Sequence, residues 1–240
     1  MSKTRTLKRV VVTGMAGISP LGNDWPAVRA ALERNESGIV RMKDWDEVDE
    51  VDDLNTRVAA PAKPFALDPA VFSRKRTRSM GRVALMAVKT TLDALEDAGL
   101  AGDPIVTSGQ TGIAYGSSAG QPSAVAELAH LILTHSCRGI TATTYVRMMS
   151  HSAAVNIGVF LGAKGRIIPT SSACTSGSQG IGYAYESIAF GKETVMIAGG
   201  SEELDATDAA IFDTLFATSV RYNDRPHETS VTTVRKNSRR

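Results

Sequence analysis

The residues from Leu7 to Thr13 read LKRVVVT, a β-branched run closed by Gly14. This predicts a buried strand, and the GMAGISPLG segment that follows predicts a loop. Asp24 precedes Trp25-Pro26, an N-cap with proline in the first turn, so a helix should run to about Arg34. From Gly38 to Pro69 charges of both signs and three prolines show little periodicity, which reads as an excursion over the surface. Met80, Val83, Ala84, Ala87, Val88, Thr91, Leu92 and Leu95 then recur at helical spacing and predict a long amphipathic helix ending near Gly99. Thr111 to Tyr115 reads as a short strand entering the small-residue loop GSSAG. Helical patterns follow over Ser123 to Thr134 and Met148 to Leu161.

After Gly165 the alternation becomes regular. Arg166 to Pro169 reads as a buried strand, SSACTSGSQG as a run of small residues, and Ile181 to Phe190 as an apolar helix closed by Gly191. Thr194 to Ala198 is a further strand and Asp205 to Phe216 a further helix. Strands alternating with helices imply a layered α/β architecture with a mostly parallel sheet. At Tyr222 the pattern stops, and HETSVTTVRKNSRR carries neither periodicity.

Composition narrows the classes. The 240 residues are 42% hydrophobic, 22% charged and 5% aromatic, which is globular and excludes a disordered, collagenous or disulfide-built chain. The net charge of +2 is too small for the field of a nucleic-acid binder. Its sign comes from the tail. Six of the 27 Lys and Arg but only two of the 25 Asp and Glu lie between Arg221 and Arg240, so residues 1–220 hold 21 basic and 23 acidic groups. Cys137 and Cys174 are too few for a disulfide framework and fit a reducing compartment. The N-terminal apolar run breaks at Gly14, so no signal peptide is expected. Ala153 to Ala163 falls far short of a bilayer span. The expectation is a cytoplasmic protein without membrane or nucleic-acid partners.

Cys174 carries the candidate chemistry. It sits where a strand should turn into a helix, among Ser171, Ser172, Ala173, Thr175, Ser176 and Gly177, residues that let a backbone turn sharply and a substrate approach closely. Backbone N–H groups at a helix N-terminus favour thiolate, the nucleophilic form, and can stabilise an oxyanion after attack on a carbonyl. The alternative is a small buried cysteine in a tightly packed turn. Gly14, Gly17 and Gly22 fail the spacing of a dinucleotide loop. His130 and His135 lack further ligands at metal spacing, so no metal is expected. Cys137 reads as structural, and His151 has no assignable role. The basic cluster Arg74, Lys75, Arg76, Arg78 and Arg82 reads either as a docking patch for an acidic partner or as a solvated helix start.

T-S-S-A-C-T-S-G-S-Q-G-I-G (Thr170 to Gly182) resembles the active-site segment of the β-ketoacyl-acyl carrier protein synthases, the elongating condensing enzymes of fatty-acid and polyketide synthesis. V-V-V-T-G-M-A-G-I-S-P-L-G (Val10 to Gly22), V-M-I-A-G-G-S-E-E-L (Val195 to Leu204), Phe212-Asp213 and Y-N-D-R-P (Tyr222 to Pro226) are similar to the same family in order and spacing. The resemblance implies the N-terminal half of a thiolase-like α/β fold over residues 1–226, with 227–240 a basic tail outside it, and it implies a homodimer. It implies that Cys174 takes an acyl group as a thioester and that a carbanion from decarboxylating malonyl-acyl carrier protein then attacks it. It implies that Met149 and Phe212 line the acyl channel, where the alternative for both is ordinary core. No bound cofactor is implied, since the substrates ride on the phosphopantetheine of acyl carrier protein, which is also the implied partner.

The family draws two histidines, a lysine and a glycine-rich segment from its second half, and none is matched here. His227 is the only histidine after Cys174 and fits no family motif. The change to TSVTTVRKNSRR reads as a frameshift or premature stop, and exposed apolar surface is expected. The alternatives to a condensing acyltransferase are an inactive truncated fragment and a non-catalytic partner subunit of a condensing enzyme.

Overall fold

The computed structural model describes residues 7–46 and 53–229. In chain order the elements are α1 (Trp25–Glu33), β1 (Val40–Arg41), β2 (Val58–Ala59), α2 (Arg74–Thr77), α3 (Arg82–Asp97), β3 (Thr111–Gly116), α4 (Pro122–Thr134), α5 (Ala142–Met148), α6 (Ser152–Leu161), β4 (Ile167–Thr170), α7 (Ser176–Ala189), β5 (Val195–Gly200) and α8 (Ala206–Thr214). They form two compact units. The first comprises Met1–Ala16 and Ala66–Glu203, the second Gly17–Phe65 and Leu204–Arg240.

The first unit is built on a parallel sheet of order β4-β3-β5. Every residue of β3 is buried, and its two faces differ in bulk. Ile113 and Tyr115 join Val83, Ala84, Ala87 and Val88 of α3 and Ala153, Ala154, Ile157 and Phe160 of α6 in one apolar cluster. The helical stripe read from the sequence is therefore the buried face of α3. On the other face α7 lies almost directly on the sheet. A Cβ at Gly180 would stand 2.6 Å from the Ala114 carbonyl oxygen, and one at Gly116 would stand 2.5 Å from the Ser176 carbonyl carbon. Hydrogen there lets the two backbones approach as a larger group would not. Away from the sheet α7 exposes Ile181, Tyr183, Tyr185 and Phe190, the apolar surface the sequence led us to expect.

In the second unit Asp24 caps α1, accepting from the Ala27 N–H at 2.8 Å, and Asp205 caps α8. Trp45 and Leu54 are buried against Met42, Ala59, Ala206, Ala209 and Ala210.

The structure departs from the sequence reading at five places. Leu7 to Thr13 is not a buried strand: Val11 is 62% and Val12 78% exposed, and the segment joins no ladder. A β-branched run becomes a strand only beside an edge that accepts it. Here β3 pairs directly with β5, and among the described residues Lys8 alone of the segment bonds another element, through its N–H to the Ala189 carbonyl. The 38–69 excursion holds one short antiparallel pair, Val40 opposite Ala59 and Arg41 opposite Val58. The helix expected from Met148 begins only at Ser152, and α5 ends at Met148. Helix α7 starts at Ser176, five residues before its apolar pattern. Of the expected tail, residues 227–229 continue a 3-10 turn at Pro226–Glu228, and residues 230–240 lie outside the described residues.

Candidate active site

Because β4, β3 and β5 run parallel, the loops that follow them leave the sheet at one edge. In open α/β sheets this carboxyl edge, where neighbouring strands connect in opposite directions, is where ligands bind. Three segments meet that description: Ser117–Gly120 after β3, Ser171–Thr175 after β4, and Ser201–Glu203 after β5.

Cys174 stands in the second of these, two residues before α7, and it is exposed. The reading of a buried structural cysteine is thereby excluded. Ala173, immediately before it, has a φ of +52°, a left-handed conformation that a residue with a Cβ adopts at a cost. The turn is held by local bonds. Thr175 Oγ1 donates to the Ser172 carbonyl at 2.8 Å, and the Ser172 hydroxyl lies 3.0 Å from Gln179 Oε1. Thr170 Oγ1 donates to the Ser176 carbonyl at 2.8 Å. With Thr175 Oγ1 turned back toward the loop, α7 has no side-chain cap. The first-turn N–H groups of Gly177 and Ser178 consequently have no protein acceptor among the described residues, and such groups can face an oxyanion.

The first loop is tied to the third. The Glu202 carboxylate accepts from Ser117 Oγ at 2.9 Å, from the Ser118 N–H at 2.8 Å and from the Ser118 hydroxyl. At the far end of that loop Gly120 has a φ of +82°, and a Cβ there would meet the backbone of Met148 and Met149. One glycine-bounded loop thus touches the first turn of α7 through Gly116 and the Met149 turn through Gly120.

Met149 caps α5 and is half-buried, outside the main apolar cluster. Its helix is fixed to α4 by Glu127, which accepts from Thr144 Oγ1 at 2.5 Å and from Arg147 at 2.8 and 2.9 Å. Hydrogen bonds from Thr144 and then Arg147 hold the Glu127 carboxyl below the usual range despite its partial desolvation. Phe212 lies on α8 of the second unit and is 45% exposed, so it is not ordinary core. The site residues therefore divide: Cys174 and Met149 belong to one unit, Phe212 to the other.

Cys137 is exposed rather than packed, which corrects the expectation of a structural cysteine, and His151 precedes α6 half-buried. An open cavity of about 490 Å³ lies along β4, lined by Ile167, Pro169, Tyr183, Glu186, Phe190 and Lys192, and Cys174 is not among its walls. No group of three or more His, Cys, Asp or Glu among the described residues could hold a metal ion. No helix among them is long and apolar enough to cross a membrane. Sequence reasoning missed Ser176 and Glu202. Both stand inside the quoted motifs, and neither motif tells which peptide or hydroxyl its polar atom binds.

A parallel sheet flanked by helices, with a cysteine on a tight turn at its carboxyl edge, places the chain among the layered α/β proteins. Residues 7–228 match the family described as Beta-ketoacyl synthase, N-terminal domain, and the chain belongs to that family. Among curated relatives, 3-oxoacyl-[acyl-carrier-protein] synthase 1 of Haemophilus influenzae is 33% identical over 228 residues, which cover 93% of this chain and 54% of that protein. A β-ketoacyl synthase from Burkholderia phymatum superposes with a TM-score of 0.87 at 51% identity, covering 93% of this chain and 53% of the other. A type II polyketide ketosynthase in complex with its acyl-carrier protein, AntDE:AntF, shares the fold at 22% identity and a TM-score of 0.68, covering 87% of this chain and 55% of that one. The fold is the thiolase-like α/β fold of these ketosynthases, and the chain spans about half the length of the relatives it matches.

Proposed function

We propose that this chain carries the nucleophile of a 3-oxoacyl-acyl carrier protein synthase of fatty acid biosynthesis. The observation that supports this most is an exposed Cys174 on a left-handed turn at the carboxyl edge of the sheet, just before an uncapped helix. In the first half-reaction the Cys174 sulfur attacks the thioester carbonyl of acyl carrier protein. A carbon–sulfur bond forms, the phosphopantetheine thiolate leaves and takes up a proton, and the first-turn N–H groups of α7 are suited to the transient oxyanion. In the second, malonyl-acyl carrier protein loses carbon dioxide, its carbanion attacks the acyl-enzyme, and Cys174 leaves as thiolate from a 3-oxoacyl product two carbons longer.

In this reading Met149 and Phe212 line the acyl channel, acyl carrier protein is the partner, and the enzyme is a cytoplasmic homodimer that binds no cofactor of its own. The basic cluster supports an acidic partner, although its members differ. Arg74, Lys75 and Arg78 are exposed. Arg76 is already engaged, its guanidinium 3.6 Å from the Phe160 ring centre and donating to the Val71 and Phe160 carbonyls. Arg82 Nε stands 4.0 Å from Glu203. Docking would accordingly fall to Arg74, Lys75 and Arg78.

The test incubates the purified chain with acyl- and malonyl-acyl carrier protein and reads two outcomes separately. An acyl adduct on Cys174 by mass spectrometry, lost in Cys174→Ala, is expected. No adduct would overturn the nucleophile assignment. Formation of 3-oxoacyl product would show that these residues suffice for decarboxylation as well.

A further inference from the structure

We infer that Ser176 is a positioning residue for Cys174, an inference that rests on the nucleophile reading above. The Ser176 side chain is buried at 3% exposure and its hydroxyl makes two bonds of opposite sense. It accepts from the Ser172 N–H at 2.9 Å and donates to the Ala173 carbonyl at 2.6 Å, a carbonyl that also receives the Ser176 N–H at 3.0 Å. One oxygen therefore grips the peptide groups on both sides of the Ser172–Ala173 pair. Between them lies the φ of +52° at Ala173. An alanine left to itself leaves that region, because its Cβ crowds the following carbonyl. Nothing else in the turn binds both peptides.

The clamp is itself anchored. Thr170 Oγ1 holds the Ser176 carbonyl from the end of β4. Gly116 at the end of β3 admits the Ser176 backbone so closely that a Cβ at 116 would overlap it at 2.5 Å. A Cβ at Gly200, at the end of β5, would stand 3.0 Å from the Cα of Gly177. All three strands thus fix the position of the hydroxyl, the hydroxyl fixes Ala173, and Ala173 fixes the direction in which the next residue leaves the turn. Cys174 is presented by a rigid relay from the sheet, and Ser176 acts through that relay without touching substrate.

Iodoacetamide alkylation tests this without acyl transfer, because Cys174 and Cys137 are both exposed and one serves as the reference for the other. The readout is the ratio of their alkylation rates from peptide mass spectrometry. In Ser176→Ala the ratio should fall about tenfold, the population shift set by the left-handed penalty on a residue with a Cβ, while the Cys137 rate stays constant. Adding Ala173→Gly should restore the ratio to within about threefold of the parent, since glycine holds a positive φ without a clamp. An unchanged ratio in Ser176→Ala, or a fall that Ala173→Gly does not rescue, would overturn the inference. Should Ser176→Ala alone not fold, the double variant decides. A folded protein with the parent ratio supports the clamp, and failure to fold or a lowered ratio overturns it. Loss of the acyl adduct in the parent chain would sink the nucleophile reading while leaving the alkylation ratio informative.

Discussion

The two units of the molecule are held together by different physics. In the first, eleven buried residues from Met80 to Phe160 form a continuous apolar cluster in which Ile113 and Ile157 are fully enclosed. In the second, the buried apolar cluster has two members, Trp45 and Leu54, and the stitching is polar. The Asp213 carboxylate accepts from the Asn55 N–H at 2.5 Å, from Asn55 Nδ2 at 2.9 Å and from Thr218 Oγ1. Around it Asn223 Nδ2 donates to the Asn55 carbonyl, the Arg57 N–H to Asn223 Oδ1, and Thr56 Oγ1 to the Ser219 carbonyl. A unit rich in buried apolar area can tolerate the loss of one bond. A unit organised around one carboxylate cannot, and its stability must follow that group's proton.

The largest expected effect is on the first unit. Ile113→Ala should cost about 3 to 4 kcal/mol, since the site is sealed on all sides and cannot collapse around the lost atoms. Urea unfolding followed by hydrogen exchange over residues 83–95 and 153–160 measures it. A loss below about 1 kcal/mol would mean that the cluster is not the support of the unit. Gly180→Ala follows at about 2 to 3 kcal/mol, because its Cβ meets the Ala114 carbonyl, backbone that cannot step aside. Asp213→Ala comes next at about 2 kcal/mol, for it leaves the Asn55 N–H and Thr218 hydroxyl without their acceptor. Exchange should rise at residues 55–57 and 213–223 while the α3–α6 cluster stays protected. Equal loss in both regions would erase the contrast.

Acid sharpens the same comparison. Burial pushes the Asp213 carboxyl up, but hydrogen bonds from Thr218, Asn55 and the Thr56 N–H outweigh it and hold the group below its ordinary 3.8. A depressed carboxylate contributes stability that is complete above its unfolded value and is lost as the pH falls through the folded one. Protection of residues 55–57 should therefore hold from neutrality down past pH 5 and decline below about pH 4, ahead of the first unit's core. Asp213→Asn should abolish that step, and a transition persisting in the variant would assign it to another carboxylate.

Much of the first unit was legible in the sequence because its signals are local. The stripe from Val83 to Leu95 buries the face its periodicity marks, and the run Thr111–Tyr115 forms a strand buried throughout. The small residues around Cys174 announced a sharp turn, and the turn is there. What periodicity could not supply is partnership. Val10–Val12 has strand composition but joins no ladder, so Val11 and Val12 lie exposed. Asp213 stands in the sequence only as half of the Phe212-Asp213 pair, and nothing local points to its partner Asn55, 158 positions earlier. Ser176 was one serine among several, and only its burial against the ends of β3 and β4 distinguishes it. Residue types reveal which groups want partners, whereas the fold determines which partners come within reach.

The smallest expected effect asks whether the exposed face of α7 is indifferent to its own residues. Gly180 and Gly182 sit two positions apart on one helix and should respond with opposite signs. A Cβ at 182 meets nothing within 4 Å, and the position is exposed between Ile181 and Tyr183. Alanine there removes backbone freedom from the unfolded chain and improves helix propensity, so Gly182→Ala should stabilise by about 0.5 to 1 kcal/mol. A shift of the urea midpoint to higher concentration at unchanged slope would show it. Destabilisation would mean that another surface approaches position 182 closely in solution. The apolar face of Ile181, Tyr185 and Phe190 would then be covered, and the same variant would report it through a stability that depends on protein concentration.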